Sequence, residues 1–194
     1  MSIEAQLRQV MAHFDRLSPA DRILVTIDGP CGSGKSTLAA ALAEKLACPV
    51  VHMDDFVIPH AQKTPERLRI PGGNADQERL LAEVICPWMA GEPACVRPYL
   101  CHEDRLGAAQ ALPAGRLLIL EGTYCNLPAI ARHASLRLFL TITPYEQQRR
   151  LLGRVGTERL RAFNDRWIPL ENAYFAAFGL PDAGCCLVTQ DTGL

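Results

Sequence analysis

The spacing of apolar residues changes repeatedly along the chain, and each change marks an element. Ile3, Leu7, Val10, Phe14 and Leu17 recur at helical spacing, which predicts an amphipathic helix over residues 2–17, closed by Ser18 and Pro19. The run from Arg22 to Asp28 is short, apolar and β-branched, the signature of a buried strand. Leu38 to Leu46 is rich in alanine and leucine and reads as a helix ending near Ala47. A second short strand is expected over Pro49–Phe56, delivering Asp54 and Asp55 at its C-terminal end; neighbours on a strand face opposite sides, so only one of the two can face a given ligand. Residues 57–74 lack a period and read as a mobile flap around Lys63–Arg67 and Pro71–Asn74.

The second half continues the alternation. Ala75–Ile85 reads as a helix capped by Asn74, and Cys95–Leu100 as a short strand or hairpin arm. Asp104–Leu112 is expected to be loop and short helix. Gly115–Gly122 is a clear buried strand ending in Glu121, and Leu136–Ile142 is a fourth strand. Pro144 opens a helix carrying Gln147, Gln148, Arg149, Arg150 and Arg154. A helical pattern runs from Thr157 to Phe178, where Pro169 should kink it, and Cys185–Thr189 is a final short strand. Short apolar strands alternating with helices predict an α/β fold: a five-stranded parallel sheet covered on both faces, a three-layer sandwich, in one domain over residues 1–194. A flap or acceptor segment occupies about 57–112 and a short lid about 149–160.

One junction carries a complete motif. Gly29-Pro30-Cys31-Gly32-Ser33-Gly34-Lys35-Ser36-Thr37 matches G-x-x-x-x-G-K-[ST], the Walker A phosphate-binding loop, and stands between an expected strand and an expected helix as that motif requires. Glycines let the backbone curl so that successive N–H groups point at a phosphate, and the following helix adds its positive end. Lys35 supplies a charge to the terminal phosphates, and the Ser36 hydroxyl is placed to bind Mg²⁺. Four apolar residues ending in Glu121 form the Walker B pattern, whose carboxylate serves the metal. By motif the chain is therefore expected to be a P-loop NTPase that binds a nucleoside triphosphate with Mg²⁺.

Composition narrows the partners. A formal net charge of -1 in 194 residues offers no bulk attraction for nucleic acid or an anionic membrane. Hydrophobic content of 48% suffices for a core, a mean hydropathy of +0.03 is ordinary for a soluble protein, and no stretch has the length and apolarity of a membrane span. The N-terminus lacks the basic-then-apolar order of a signal peptide. The 8 cysteines include no CxxC pair, so neither a zinc site nor a redox motif is indicated. Use of a nucleoside triphosphate implies a reducing, cytoplasmic setting.

Chemistry beyond nucleotide binding rests on three features. Asp54 lies where it could accept a proton from a hydroxyl nucleophile. Arginines crowd residues 149–166, and guanidinium forks stabilise the charge that spreads over a phosphoryl group in transfer. A closing lid carrying them would exclude water. The roughly fifty residues between Asp54 and Glu121 exceed an ordinary connection and leave room for an acceptor pocket.

The order of these motifs, Asp28-Gly29 through Thr37, then Met53-Asp54-Asp55-Phe56, then Glu121-Gly122, then the arginine helix and Phe163-Asn164-Asp165-Arg166-Trp167-Ile168-Pro169-Leu170-Glu171, resembles the uridine kinase and phosphoribulokinase group of P-loop kinases over most of the chain. The resemblance implies transfer of the γ-phosphate of ATP to a sugar hydroxyl, with Asp54 as base. It implies acceptor contacts near Asp76 and Tyr99, and lid charges at Arg149, Arg150 and Arg154, so that Asp54, Asp76, Tyr99, Glu121 and Arg149 form the substrate-facing set. Three departures bear on the acceptor: Val57 replaces the aromatic after the D-x-F motif, the lid between Leu152 and Arg159 is short and holds Gly153 and Gly156, and Tyr99 is followed by Leu100-Cys101-His102 rather than an acid. The expectation is a kinase for a nucleoside-like or small hydroxylated acceptor. The alternatives are a kinase for pantothenate, gluconate or a nucleoside monophosphate, and a non-kinase ATP-binding regulatory protein.

Overall fold

The computed structural model describes residues 2–14, 17 and 22–188. The expected helix stop at Ser18 and Pro19, and the last residue of the final strand, Thr189, lie outside the described residues.

Five parallel strands form the sheet: β1 (Ile23–Asp28), β2 (Val50–His52), β7 (Leu117–Glu121), β8 (Leu136–Leu140) and β9 (Cys185–Val188), in the order β2-β7-β1-β8-β9. β1 is central and buried throughout, which is why its sequence runs apolar without alternation. The two-residue period then sorts its side chains into two cores. Leu24 packs with Leu118, Leu120, Trp88 and Tyr174 on one face, and Val25 and Ile27 pack with Ile119, Leu38, Leu42 and Val10 on the other. The expected three-layer α/β sandwich is therefore present. On the second face lie α1 (Ile3–Phe14) and α2 (Lys35–Leu46); α1 places only Gln6 and Val10 in full burial.

Between β2 and β7 the chain is more regular than its sequence suggests. A 3₁₀ turn over Met53–Asp55 follows β2 at once, so Asp54 and Asp55 are not strand residues and the alternation argument does not apply to them. The flap is not irregular. It holds a 3₁₀ turn over His60–Gln62 and a short helix α3 (Pro65–Arg69). Thr64 caps α3 through its hydroxyl. An antiparallel bridge between Val57 and Ala75 closes the base of the flap, and Arg67 Nε donates to Gly73 O at 2.8 Å inside it.

The next helix starts at α4 (Gln77–Leu80), passes through a π-turn at Leu81–Ile85 and continues as α5 (Cys86–Ala90). Its cap is Asp76 rather than Asn74: the Asp76 carboxylate accepts from Arg79 N at 3.1 Å. Two nested antiparallel pairs follow, β3 (Cys95–Val96) with β6 (Gln110–Ala111) and β4 (Tyr99–Leu100) with β5 (Arg105–Leu106). Residues 104–112 are thus hairpin, not loop and helix.

After β7, α6 (Pro128–Ala131) leads to β8, and Thr143 caps α7 (Pro144–Ala162) by accepting from Glu146 N. Helical geometry breaks once within α7, at Gly156, with φ 75° and ψ 171°. A π-turn at Phe163–Trp167 then joins α7 to α8 (Ile168–Phe178). Pro169 falls in the first turn of α8, directly after the π-turn. The lid region is accordingly helix with one glycine break. None of the described helices is long and apolar enough to cross a membrane.

Candidate active site

The phosphate-binding loop leaves the C-terminal end of the central strand, the edge where open parallel sheets bind ligands. Gly29 has φ +134°, and a Cβ there would stand 2.3 Å from the Leu140 carbonyl oxygen, so only glycine fits. Gly34 takes a left-handed conformation as the residue capping α2. Lys35 is buried, and its Nζ donates to the carbonyls of Gly29 at 2.7 Å and Pro30 at 3.0 Å.

Ser36 and Glu121 meet. Ser36 Oγ lies 3.1 and 3.2 Å from the two carboxylate oxygens of Glu121, which is itself buried at the end of β7. His52, the register partner of Glu121 on β2, places Nδ1 2.6 Å from Glu121 Oε1. The hydrogen bond to Glu121 raises the His52 pKa above its ordinary value, against the opposing effect of burial.

Two buried carboxylates brace the loop. Asp28 accepts from Gly29 N at 2.7 Å, Asn126 N at 2.9 Å and the Tyr174 hydroxyl at 2.8 Å. Burial nevertheless pushes its pKa up to about 6. Glu171 reaches the loop from α8: its Oε2 accepts from Cys31 N at 2.9 Å, and its Oε1 lies 3.1 Å from the Thr123 hydroxyl. From α7, Gln147 Nε2 donates to Cys31 O at 2.9 Å, and Arg150 donates to Gly32 O at 3.3 Å. The Cys31 thiol accepts from Gln147 Nε2 at 3.4 Å, and burial pushes its pKa up to about 12.

The loop opens into a cavity of about 910 Å³. Of the expected residues, Cys31, Gly32, Gly34, Lys35, Ser36 and Thr37 line it, as do Asp54, Glu121, Arg150 and Arg154. Gly29, Pro30 and Ser33 belong to the loop but not to the cavity wall. Three expected contacts are not in the wall. Asp76 is occupied as a helix cap and ion-paired with Arg79 at 3.0 Å. Tyr99 is buried behind the wall, where its hydroxyl is bonded to Asp104. Arg149 points to solvent and pairs with Glu146 at 2.7 Å.

Sequence reasoning missed several residues that the fold brings in. Glu171 and Thr123 stand at the loop, Lys63 and His60 enter from the flap, and Trp167 enters from the π-turn beside Arg166, a member of the expected arginine cluster. The stretch ending in Glu171 carried a signal as a motif, though no single residue in it did. His52 was hidden because only strand register sets it beside Glu121.

The donors suit the expected co-substrates. A hydroxyl and a carboxylate are hard oxygen ligands of the kind Mg²⁺ takes, with triphosphate oxygens completing its shell. The glycine geometry and the N-terminus of α2 form an anion cradle. Ser36 and Glu121 are thus the residues fitted to hold the metal, and the loop from Gly29 to Thr37 the triphosphate.

No protein-family model matches the chain, and no curated protein matches it. Solved structures do. A "possible uridine kinase" from Bacillus stearothermophilus superposes with a TM-score of 0.71 at 18% identity, over 98% of this chain and 100% of that one. A "putative fructose transport system kinase" from Silicibacter sp. TM1040 gives 0.71 at 25% identity, with the same coverage. D-glycerate 3-kinase from Cryptococcus neoformans gives 0.54 at 13%, over 98% of this chain and 96% of that one. With the parallel sheet, the complete phosphate-binding loop and these neighbours together, the chain has the fold of the uridine kinase-like P-loop kinases.

Proposed function

We propose that this protein is an ATP-dependent small-molecule kinase that phosphorylates a hydroxyl of a nucleoside-like or small hydroxylated acceptor. The observation that carries this reading is that one cavity joins the phosphate-binding loop, the Ser36–Glu121 pair and an exposed carboxylate, Asp54, with two lid arginines. Lys35 and the loop amides hold the triphosphate. Ser36 and Glu121 would hold Mg²⁺, which would supply neutralising charge to the phosphate oxygens. Asp54 takes the proton of the acceptor hydroxyl as its oxygen forms a bond to the γ-phosphorus. The bond from that phosphorus to the bridging oxygen breaks, and ADP leaves. Arg150 and Arg154 stabilise charge on the equatorial oxygens.

The test is Asp54→Asn, which preserves size but removes the base. ADP formation in the presence of acceptor is expected to fall by about 10²–10⁴-fold, the usual worth of general-base catalysis, while ATP affinity is unchanged. Turnover at the unmodified rate would refute the assignment of Asp54.

A further inference from the structure

The flap wall of the cavity carries a cation, Lys63, that no carboxylate of the described residues holds in an ion pair. Lys63 lines the cavity and is half-buried. Among the described residues it forms no ion pair; its ammonium rests over the Tyr99 ring, 5.5 Å from the centroid. The Asp104 carboxylate acts on Lys63 through space, but its hydrogen bonds go elsewhere: it accepts from the Tyr99 hydroxyl and from His60 N at 3.0 Å. Those bonds, with smaller contributions from the charges of His60 and Lys63, hold the Asp104 pKa below its ordinary value. His60 also enters the cavity, edge-on to Tyr99 with ring centroids 6.1 Å apart.

The sheet order separates this cation from the arginines. The flap follows β2 at one edge of the sheet, whereas α7 follows β8 on the far side of β1. Arg154 and Arg166 reach the cavity from the elements that follow β8, and Lys63 from the segment that follows Asp54 and β2. The aromatic expected after the D-x-F motif is Val57, which also lines the cavity and cannot stack on a base as a ring would. A half-buried ammonium over an aromatic face, with no carboxylate at ion-pair distance among the described residues, is a site for an anion.

We infer that the acceptor carries an anionic group, a carboxylate or a phosphate, which Lys63 binds while Asp54 faces the hydroxyl to be phosphorylated. The inference rests on the kinase reading above and narrows its substrate class to acidic hydroxylated compounds.

The experiment compares acceptors that differ in charge: gluconate with glucose, ribose 5-phosphate with ribose, and uridine as a neutral nucleoside, each with ATP and Mg²⁺. Unmodified protein, Lys63→Met and Lys63→Arg are assayed for ADP formation, with separate KM values for ATP and acceptor. An anionic acceptor should be used in preference to its neutral counterpart. The carboxylate and phosphate arms tell the two anion sources apart. Lys63→Met should raise the KM of that acceptor about 10- to 100-fold, the worth of a charge-assisted contact, while the KM of ATP stays put. Lys63→Arg should restore most of the affinity. Preferred use of a neutral acceptor, or an unchanged acceptor KM in Lys63→Met, overturns the inference and leaves the kinase reading standing. Failure of every acceptor to be phosphorylated by protein that binds ATP overturns both.

Discussion

Tyr174 is fully buried and spends its hydroxyl on Asp28, the residue that launches the phosphate loop. With a folded pKa of about 6 against an unfolded value of about 3.9, Asp28 contributes its stability below pH 4 and loses it as the pH rises through 6, because burial opposes its charge. The Tyr174 hydrogen bond offsets part of that loss. Tyr174→Phe should therefore cost more above pH 6, about 1.5–3 kcal/mol for a bond to a charged oxygen, than below it, about 1 kcal/mol for a neutral one. Urea denaturation at pH 5 and pH 7.5 reads the difference; an equal cost at both would remove Asp28 ionisation from the account. At this scale the sequence was legible wherever chemistry lies in a contiguous motif. Gly29, Lys35, Ser36 and Glu121 could be named from their spacing. Asp76 and Tyr99 could not be excluded in the same way, because only tertiary placement reveals that one is consumed by Arg79 and the other by Asp104.

Among the elements, α7 makes the sharpest prediction. A methyl group added at Gly153 or at Gly156 would meet nothing within 4 Å, so neither position is limited by space. They differ in backbone: Gly153 is helical, and Gly156 sits at φ 75° and ψ 171°, a region essentially reserved for glycine. Gly153→Ala should stabilise the protein by about 0.4–1 kcal/mol. Gly156→Ala should destabilise it by about 1–3 kcal/mol, because the helix cannot straighten without pulling Gln147 or Glu171 from the loop. Denaturant midpoints of the two variants should move in opposite directions, and movement in the same direction would refute a braced break. The large elements announced themselves through sustained periodicity. The nested hairpins did not, since strands of two residues contain no period to detect. The π-turns were also hidden, because a single inserted residue shifts a helical pattern only slightly.

For the molecule as a whole, alternating strands and helices were sufficient to foresee a parallel sheet buried between helical layers, with the loop at the end of its first strand. The strand order and the flap's closure by the Val57–Ala75 bridge needed contacts between residues far apart in sequence. Because ligand binding to the folded state raises stability by mass action, ATP with Mg²⁺ at a hundredfold excess over its Kd should add about 2.7 kcal/mol. A productive acceptor should add a further increment when a non-hydrolysable ATP analogue is present. A thermal melt reads both, and an unchanged Tm with the nucleotide would deny the cradle its role.

The loop is held from two directions: by Gln147 and Arg150 ahead of Gly156, and by Glu171 behind it. Such triangulation means that the cradle keeps its shape between turnovers. The arriving nucleotide then spends little of its interaction energy on moulding the backbone, and its grip is governed by how fast the side chains around it can let go.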